Sequence, residues 1–451
     1  MSMNHNVKPL KTRRLAQFVL GAALLPPLLA PPVSRAEETS VLPVRAITGV
    51  HVVDTTGGPT LHDAVVLVSG ERITAVGPRA SITIPAGAKV VSLPGKWLVP
   101  GLMNMHVHFG LKLPGKMMED TANETDGGLA LRMAVNARRS LLAGTTTVRT
   151  PGEDKDAVFA LKSSIDRGEH PGPRIFPAGS PIVPTGGHSA EPVLNGIDGP
   201  DAVRKEARRQ ILLGAKWLKI MISRGIASTG EMRASDMTLE EMKAATDVAH
   251  RQGVKVSAHT GSPQATMEAL DAGVDSFEHG YFLNEEVFRK MKAANAWYVP
   301  TIVVSQAGAM EFFRKIQSPP FYLARVQMVG KAHWAALQTA IRLNVNIAMG
   351  SDQFPYEPNE GTVASVRETE LYHEAGMTNL QALQTATLNA ARVLGAEQDL
   401  GSITPGKYAD FIAVDADPTQ DIRALRTLHW VMKGGQVFRD DVHPLMVEAL
   451  P

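Results

Sequence analysis

Cysteine is absent from the whole chain of 451 residues. Its absence excludes disulfide bonds, a thiol nucleophile and thiolate metal ligands. A metal site would therefore have to be built from histidine, carboxylate or modified lysine side chains. A chain without thiols also suits an oxidising compartment.

An excess of charge of either sign is also missing, because 46 Lys and Arg residues stand against 45 Asp and Glu residues. This balance argues against nucleic acid or an anionic membrane surface as a partner. The Gly-x-Ser-x-Gly turn of a serine α/β-hydrolase does not occur where that fold would need it. The length suffices for a barrel of about 250 residues and a small second domain.

The N-terminal residues 1–36 have the three parts of an export signal, which are basic side chains, a short apolar run and a small-x-small cleavage site. In chain order these parts are Lys8, Lys11, Arg13 and Arg14, then residues 15–30, then Ser34-Arg35-Ala36. The pattern predicts a cleaved signal peptide and a protein that is exported to the periplasm or secreted. A membrane anchor is the alternative, but Gln17, Pro26 and Pro27 interrupt the apolar run, and we expect no stable anchor. Thr12-Arg13-Arg14 leaves open whether export uses the general or the twin-arginine route.

Short alternating apolar runs separated by turn residues occur at both ends of the mature chain. They occupy residues 44–91 and return after residue 400. Such runs are typical of strands joined by tight turns. We therefore predict a small β-sandwich domain that is built from residues 37–97 and 396–451.

Between these ends, strand-like apolar runs alternate with amphipathic stretches, which is the pattern of βα units and a parallel sheet. The eight candidate strands lie near residues 98–105, 145–149, 174–178, 217–222, 255–258, 274–277, 297–303 and 345–349. Eight such units predict an α/β fold in which residues 98–395 form a (β/α)8 TIM barrel.

Four of the candidate strands end in side chains that commonly bind metal ions. His106 and His108 stand two residues apart on the first strand, so both can address one ion. His259, His279 and Asp352 follow three later strands. Because active sites of this barrel lie at the carboxyl ends of the strands, these side chains are expected at one mouth, where they predict a metal centre.

Lys219 lies inside an otherwise apolar strand, between Leu218 and Ile220. A free ammonium group facing the barrel interior would be costly to desolvate. A carbamate formed with carbon dioxide would instead be an anionic ligand able to bridge two metal ions. The alternatives are a lysine that reaches the barrel rim or one that pairs with Asp352.

With this ligand set, the chain resembles the amidohydrolase superfamily along its whole length after the signal peptide. The resemblance rests on the order His-x-His, Lys, His, His and Asp on strands one, four, five, six and eight. It also rests on Gly144-Thr145-Thr146-Thr147-Val148-Arg149, Thr185-Gly186-Gly187-His188 and Leu400-Gly401-Ser402-Ile403-Thr404-Pro405-Gly406-Lys407-Tyr408-Ala409-Asp410. Within the superfamily, the chain looks most like the exported imidazolonepropionase-related and prolidase-like dipeptidases, which include ochratoxin-hydrolysing amidohydrolases.

The resemblance implies a binuclear metal centre that hydrolyses an amide bond. The implied ligands are His106, His108 and Asp352 for the first ion, His259 and His279 for the second, and carboxylated Lys219 between them. Zinc suits imidazole and oxygen ligands, and other divalent ions also fit such a site. The two ions would lower the pKa of a water molecule, and Asp352 would pass its proton to the leaving nitrogen. The resemblance also implies that the enzyme releases a C-terminal amino acid from a small amide or dipeptide. It further implies a homo-oligomer.

Several side chains near the implied ligands are candidates for contacts with the substrate or with the ligands. His188 is a candidate catalytic residue that would hydrogen-bond the scissile carbonyl or the substrate carboxylate, unless it is a surface residue of a tight loop. Arg224 would grip a carboxylate with two parallel hydrogen bonds or be an ordinary solvated arginine. Tyr281 would contact the substrate or pack beside it. Asn104 and Thr150 depart from the family, where Asp is usual or frequent, and would alter the surroundings of the ligands.

Residues 305–334, after the seventh strand, exceed a minimal βα connection. They contain five aromatic residues, Phe312, Phe313, Phe321, Tyr322 and Trp334. This insertion would form a lid or an aromatic wall for a bulky apolar acyl group, or it would serve helix packing or a subunit interface.

Two rival functions fit the same residues. Hydrolysis of a cyclic amide or a lactone would use the same metal centre, and activity on N-acyl amino acids against ring substrates separates the two. An exported metal-binding protein without catalysis is the alternative of another class. It would hold metal and be inactive on every amide and ester.

Overall fold

The computed structural model describes residues 44–189, 193–306, 308–352 and 364–443, so the predicted signal peptide lies outside the described residues. The described strands are β1 (Val44–Val52), β2 (Leu61–Ser69), β3 (Arg72–Pro78), β4 (Lys89–Ser92), β5 (Trp97–Pro100), β6 (Leu102–Asn104), β7 (Thr145–Thr150), β8 (Arg174–Pro177), β9 (Trp217–Met221), β10 (Lys255–Thr260), β11 (Ser276–His279), β12 (Trp297–Val299), β13 (Asn346–Ile347), β14 (Phe411–Val414), β15 (Trp430–Lys433) and β16 (Gln436–Asp440). The described α-helices are α1 (Lys116–Asp120), α2 (Asp126–Leu142), α3 (Ala157–Asp166), α4 (Pro200–Leu212), α5 (Leu239–Arg251), α6 (Pro263–Asp271), α7 (Glu285–Ala293), α8 (Ala309–Lys315), α9 (Pro320–Arg342), α10 (Ala364–Glu374), α11 (Asn379–Thr385) and α12 (Leu388–Leu394). None of these helices is both long and apolar enough to cross a bilayer.

Both chain ends contribute strands to one sheet of eight strands. Its order is β16-β15-β14-β5-β1-β2-β3, with β4 paired to β1. The antiparallel pairing of β5 with β14 joins the two ends, as the turn-rich pattern predicts. Alternate apolar residues such as Ile47, Phe411 and Trp430 are buried in a common core. A sandwich requires two packed sheets, and the described strands of both ends lie in one, so the predicted sandwich is not confirmed.

All eight strands predicted for the barrel are present as the parallel strands β6 to β13. They lie in two sheets, β6-β7-β8 and β13-β12-β11-β10-β9. Hydrogen bonds connect the two sheets on both sides. The amide of Met105 donates to the carbonyl of Met349, and that of Lys216 donates to the carbonyl of Pro177. Among the described strands, no single sheet contains all eight, and the closed barrel is not confirmed.

Helices between the strands cover the outer face of the parallel sheets because their apolar residues recur at helical spacing. Helix α5 begins at a capping box, in which the Thr238 hydroxyl accepts from the Glu241 amide and the Glu241 carboxylate accepts from the Thr238 amide. Its residues Met242, Ala245 and Ala249 are buried against the main core. Helices α5 and α7 thus occupy two of the amphipathic stretches between the predicted strands.

Three residues at the carboxyl ends of parallel strands adopt a left-handed backbone without being glycine. They are His279, Thr301 and Asp352, with φ angles of 65°, 52° and 51°. Such residues cost roughly 1 to 3 kcal/mol each and cluster at functional sites, where the surrounding structure holds them in place. His279 and Asp352 are two of the predicted metal ligands, whereas other left-handed non-glycine residues of the described chain, such as Asp63 and Asn344, lie elsewhere.

The aromatic insertion after β12 forms helices α8 and α9. Phe313 and Tyr322 from these helices are buried in one apolar cluster with Leu113, Ile226 and Val304. The last three residues belong to the segments that follow β6, β9 and β12, so the insertion packs over the carboxyl ends of the strands.

Candidate metal centre

A cavity of about 490 Å³ opens at the carboxyl ends of the parallel strands. Side chains of β9, β10 and β11 reach it, and so do side chains of the segments that follow β6 and β13. The structure brings all six predicted ligands to its wall, namely His106, His108, Lys219, His259, His279 and Asp352.

One group of potential ligand atoms belongs to His106, His279 and Asp352, whose atoms lie within 4.8 Å of one another. Nε2 of His106 lies 3.4 Å from Oδ1 of Asp352, and Nδ1 of His279 lies 4.0 Å from Oδ2. Burial, reinforced by Lys219, lowers the pKa of His106 to about 4. Burial opposes ionisation of Asp352, but His106 and His108 hold its pKa below the usual range. Neutral imidazoles beside a carboxylate have the protonation states that metal binding requires.

His108 faces the same group. Its Nε2 lies 3.2 Å from Oδ1 of Asp352 and 3.1 Å from Nε2 of His106. Its Nδ1 donates to the carbonyl of Gly152, which leaves the Nε2 lone pair directed at the cluster.

His259 is buried, and its Nε2 has no hydrogen-bond partner among the described residues. The ring centroid lies 4.4 Å from that of His279 and 3.9 Å from that of His188, on which it stacks. Leaving a buried polar atom unpaired costs about 1 to 3 kcal/mol. The unpaired Nε2 is therefore available to bind a metal ion.

Lys219 is only 1% exposed and does not reach the rim of the cavity. Leu218 and Ile220 pack in the main core, so the intervening side chain points to the opposite face of β9. Within the described part of the chain, its ammonium forms no hydrogen bond and no direct ion pair with Asp352. Burial lowers the pKa of Lys219 to about 8.

Two buried charged residues that we did not predict support His106. Oε2 of Glu278 accepts a hydrogen bond from Nδ1 of His106 at 2.7 Å. Its Oε1 accepts from Arg149 at 2.7 Å and from Ser276 at 2.8 Å. Burial opposes the negative charge, but Arg149 and His106 lower the pKa of Glu278 to about 2. An arginine and a glutamate inside two of the parallel strands, β7 and β11, are the signal that could have identified this pair.

Asn104 ties β6 to the segment that carries Asp352. Its side-chain amide donates to the hydroxyls of Ser351 and Ser365 at 2.7 and 2.9 Å. Its carbonyl oxygen accepts from the amides of His106 and Ser351 at 3.0 and 3.2 Å. An ionised Asp at this position could not donate to the two hydroxyls, whereas the Asn104 amide does. The residue that departs from the family therefore has its own hydrogen-bond acceptors in this protein.

Glu153 is a further buried carboxylate at the cavity wall that we did not predict. It accepts hydrogen bonds from the amides of Phe109 and Gly110 at 2.6 and 2.9 Å. Burial raises the pKa of Glu153 to about 7. It fixes the backbone immediately after His108.

His188 lines the cavity and is therefore not an ordinary surface residue. The backbone amide of Gly225 donates to its Nδ1 at 3.0 Å, and the hydroxyl of Ser228 lies 2.9 Å from the same atom. Because Nδ1 accepts, the proton of the neutral ring is on Nε2. Burial, reinforced by Lys219, lowers the pKa of His188 to about 3, so the ring is a neutral hydrogen-bond donor.

The structure does not bring Arg224 to the cavity wall. Its guanidinium contacts Asp236 at 3.3 Å and donates to the carbonyl of Thr229 at 3.0 Å. Tyr281, in contrast, lines the cavity and stacks on His279 with a centroid distance of 5.4 Å. Burial raises the pKa of Tyr281 well above its usual value, which keeps the hydroxyl protonated.

The similarity to known proteins supports a hydrolase that acts on amide-type or other carbon–nitrogen bonds. Residues 97–438 match the amidohydrolase family model, and the chain belongs to this family. The family fold is of the TIM-barrel type and its members typically bind a divalent metal ion. The resemblance inferred from the motifs is thereby confirmed.

The chain is similar to one curated enzyme and to two solved peptidase structures. The ochratoxinase of Aspergillus niger is 29% identical over 419 residues, which cover 85% of this chain and 84% of that protein. A solved Xaa-Pro dipeptidase with bound methionine superposes with a TM-score of 0.79 at 28% identity, covering 88% of this chain and 100% of that one. A prolidase solved with N-methylphosphonate-L-proline gives a TM-score of 0.80 at 28% identity and the same coverage.

Proposed function

We propose that this chain is a binuclear metal-dependent amidase that releases a C-terminal amino acid from an N-acyl amino acid or a dipeptide. The observation that carries the proposal is the convergence of four histidines, one aspartate and one buried lysine on a single cavity. The similarity to an ochratoxinase and to a Xaa-Pro dipeptidase supports the substrate class.

The residues at the cavity fit divalent metal ions. Their donor atoms are nitrogen and oxygen, burial keeps the rings of His106 and His279 neutral, and Nε2 of His259 lacks a partner among the described residues. Zinc suits such a set. A carbamate would form if the neutral amine of Lys219 attacked carbon dioxide and released one proton. His106, His108 and Asp352 would hold one ion, His259 and His279 would hold the other, and carboxylated Lys219 would be a ligand shared by both.

Ions bound there would activate a water molecule and polarise the scissile carbonyl. Asp352, held as a carboxylate, accepts a proton from the attacking water and delivers it to the leaving nitrogen. His188 donates from Nε2 to the carbonyl oxygen, whose negative charge grows as the water oxygen adds. Tyr281 borders the same space with a protonated hydroxyl. The amide C–N bond breaks, and the products are a carboxylic acid and a free amine.

The proposal includes an exported homo-oligomer. The basic and apolar segments of residues 1–36 support export. Mass spectrometry of the N-terminus of protein recovered outside the cytoplasm should find cleavage after Ala36, and light scattering should give a multiple of the chain mass. An intact N-terminus or a monomer would remove the corresponding part of the proposal.

Hydrolysis of a substrate panel by metal-loaded mature protein tests the function. N-acyl amino acids and dipeptides should be cleaved, and a cyclic amide and a lactone should be poor substrates. Chelated protein serves as the control and should be inactive until metal is restored. Preferred cleavage of the ring substrates would reassign the activity, and inactivity on every amide and ester would leave a metal-binding protein without catalysis.

A further inference from the structure

Lys112 supplies a positive charge to the wall of the cavity. Among the cavity-lining residues that the structure describes, the lysine and arginine side chains are Lys112 and Lys219. Lys219 is buried at the metal centre, whereas the side chain of Lys112 is 26% exposed. Lys112 therefore presents an ammonium group to a molecule that enters from solvent.

The acidic neighbour of Lys112 is already balanced by another cation. Nζ of Lys112 lies 3.5 Å from Oε2 of Glu124 and 3.4 Å from the carbonyl of Thr121, and both distances are long. Both oxygens of Glu124 accept from Arg132 at 2.7 Å. The bidentate pair takes up most of the carboxylate charge, so among the described residues Lys112 is a second cation beside one carboxylate and keeps a net positive charge.

The backbone before Lys112 is held in place. Arg132 donates to the carbonyl of Gly110 at 2.9 Å, and the Gly110 amide donates to Glu153 at 2.9 Å. Asn136 donates to the carbonyl of Phe109 at 2.9 Å. These bonds fix the segment that joins His108 to Lys112, which restricts where the ammonium can lie relative to the metal ligands.

Other cations near the cavity are committed to protein carbonyls and carboxylates. Arg224 is held by Asp236 and Thr229. Arg325 donates to the carbonyls of Gly225 and Gly230 at distances of 2.8 to 3.2 Å. Neither arginine lines the cavity.

An apolar surface lies beside Lys112. Leu113, Ile226, Val304 and Tyr322 line the cavity and belong to one buried apolar cluster. We propose that Lys112 binds the α-carboxylate of the amino acid to be released, and that the substrate carries an apolar or aromatic group against this surface. This assignment rests on the proposed amidase function, and it names the residue that recognises the free carboxylate of the substrate.

The test compares N-benzoyl-L-phenylalanine with its C-terminal amide in wild-type protein and in Lys112→Met and Lys112→Arg. In wild type, kcat/KM should favour the free acid. Lys112→Met should reduce that preference about tenfold, mainly through KM, and Lys112→Arg should retain part of it. Lys116→Met is the matched control, since Lys116 is an exposed lysine paired with Asp120, and it should leave the ratio unchanged.

Binding of the same two compounds, measured calorimetrically, tests the contact without turnover. Tighter binding of the acid in wild type that is lost in Lys112→Met supports the assignment even if neither compound is cleaved, an outcome that would reject the amidase function alone. An unchanged acid-to-amide ratio in Lys112→Met overturns the assignment. A ratio that collapses instead in Arg224→Met would move the carboxylate contact to Arg224.

Discussion

Nδ1 of His106 donates to Oε2 of Glu278 across 2.7 Å, and both side chains are buried. The bond places the proton of the neutral ring on Nδ1 and leaves the lone pair of Nε2 facing Asp352. The other oxygen of Glu278 is held by Arg149 at 2.7 Å. A carboxylate in this position fixes ring orientation and raises ligand basicity, as it does in carboxylate–histidine–metal arrangements.

Glu278→Gln should weaken metal binding roughly ten- to a hundredfold. The amide accepts less strongly from His106 and leaves Arg149 as an unpaired buried charge, which destabilises the fold by about 3 kcal/mol. Chelator competition measures the affinity, and thermal unfolding measures the stability. Wild-type metal affinity in the variant would contradict the positioning role.

A double variant separates affinity from stability. In Arg149→Met/Glu278→Leu both charges are replaced by apolar groups, so folding should recover while His106 still lacks its acceptor. Metal affinity should stay low. Glu285→Gln, at a partly exposed helix position where the side chain pairs with Arg289, is the control and should bind metal like wild type.

Lys219→Ala should lower the metal content from two ions per chain toward one and abolish nearly all turnover, because the bridging ligand is lost. Lys219→Arg should behave in the same way, since a guanidinium does not form this carbamate. Elemental analysis gives the metal content. Lys216→Ala, just before the same strand, changes an exposed side chain and is the matched control. Two ions and wild-type turnover in either Lys219 variant would exclude a bridging role.

The ligand positions are predictable from the sequence because they depend on local rules. A strand has a side-chain period of two, and parallel strands of this fold end at one face, so the motifs alone place His106, His259 and Asp352 together. The existence of the eight strands follows from apolar runs in the same way. The division of these strands into two sheets does not follow from the apolar runs, because strand pairing depends on hydrogen bonds between segments far apart in the chain.

Sequence patterns do not show which residue a charged side chain contacts in the folded protein. Arg224 follows β9 and is a reasonable candidate for a substrate carboxylate, yet it lies against Asp236, 12 residues further along the chain. Glu278 and Glu153 escape prediction because a buried carboxylate acquires its role from a tertiary partner. Lys112 resembles any solvated lysine in the sequence, and its place on the cavity wall beside the Glu124–Arg132 pair distinguishes it.

Glu368 should make stability fall as pH rises. It is buried and accepts from the amides of Ile302 and Val303 at 2.7 and 2.8 Å. Burial raises the pKa of Glu368 from 4.5 to about 8. The folded state holds this proton more tightly than the unfolded state, so the contribution is complete below about pH 4.5 and is lost as pH rises through about 8.

Urea unfolding of metal-free protein between about pH 5 and 8 measures this effect. From Glu368 alone, the free energy of unfolding should fall by roughly 1 kcal/mol per pH unit, and Glu368→Gln should remove that slope. Glu286→Gln, at an exposed position of α7, should keep it. Equal slopes in wild type and Glu368→Gln would show that this carboxyl does not hold its proton in the folded state.

Gly225→Ala should displace two histidines at once. A Cβ at this position would lie 2.5 Å from Nε2 of His259 and 2.7 Å from Cε1 of His188. The two rings stack on each other in the cavity wall, so neither can move aside freely. Turnover should fall roughly a hundredfold, since displacement of about 1 Å at a catalytic centre costs that much. Metal content should fall toward one ion per chain because His259 is assigned to the second ion.

Gly127→Ala is the matched control for this substitution. Gly127 lies in α2, where an added Cβ would approach no atom closer than 3.9 Å, so stability should rise slightly and activity should not change. A Gly225→Ala protein with one ion and low turnover, but a circular dichroism spectrum like that of the control, would locate the defect at the two histidines. Two ions and wild-type turnover would show that the stacked rings do not need the space that Gly225 leaves open.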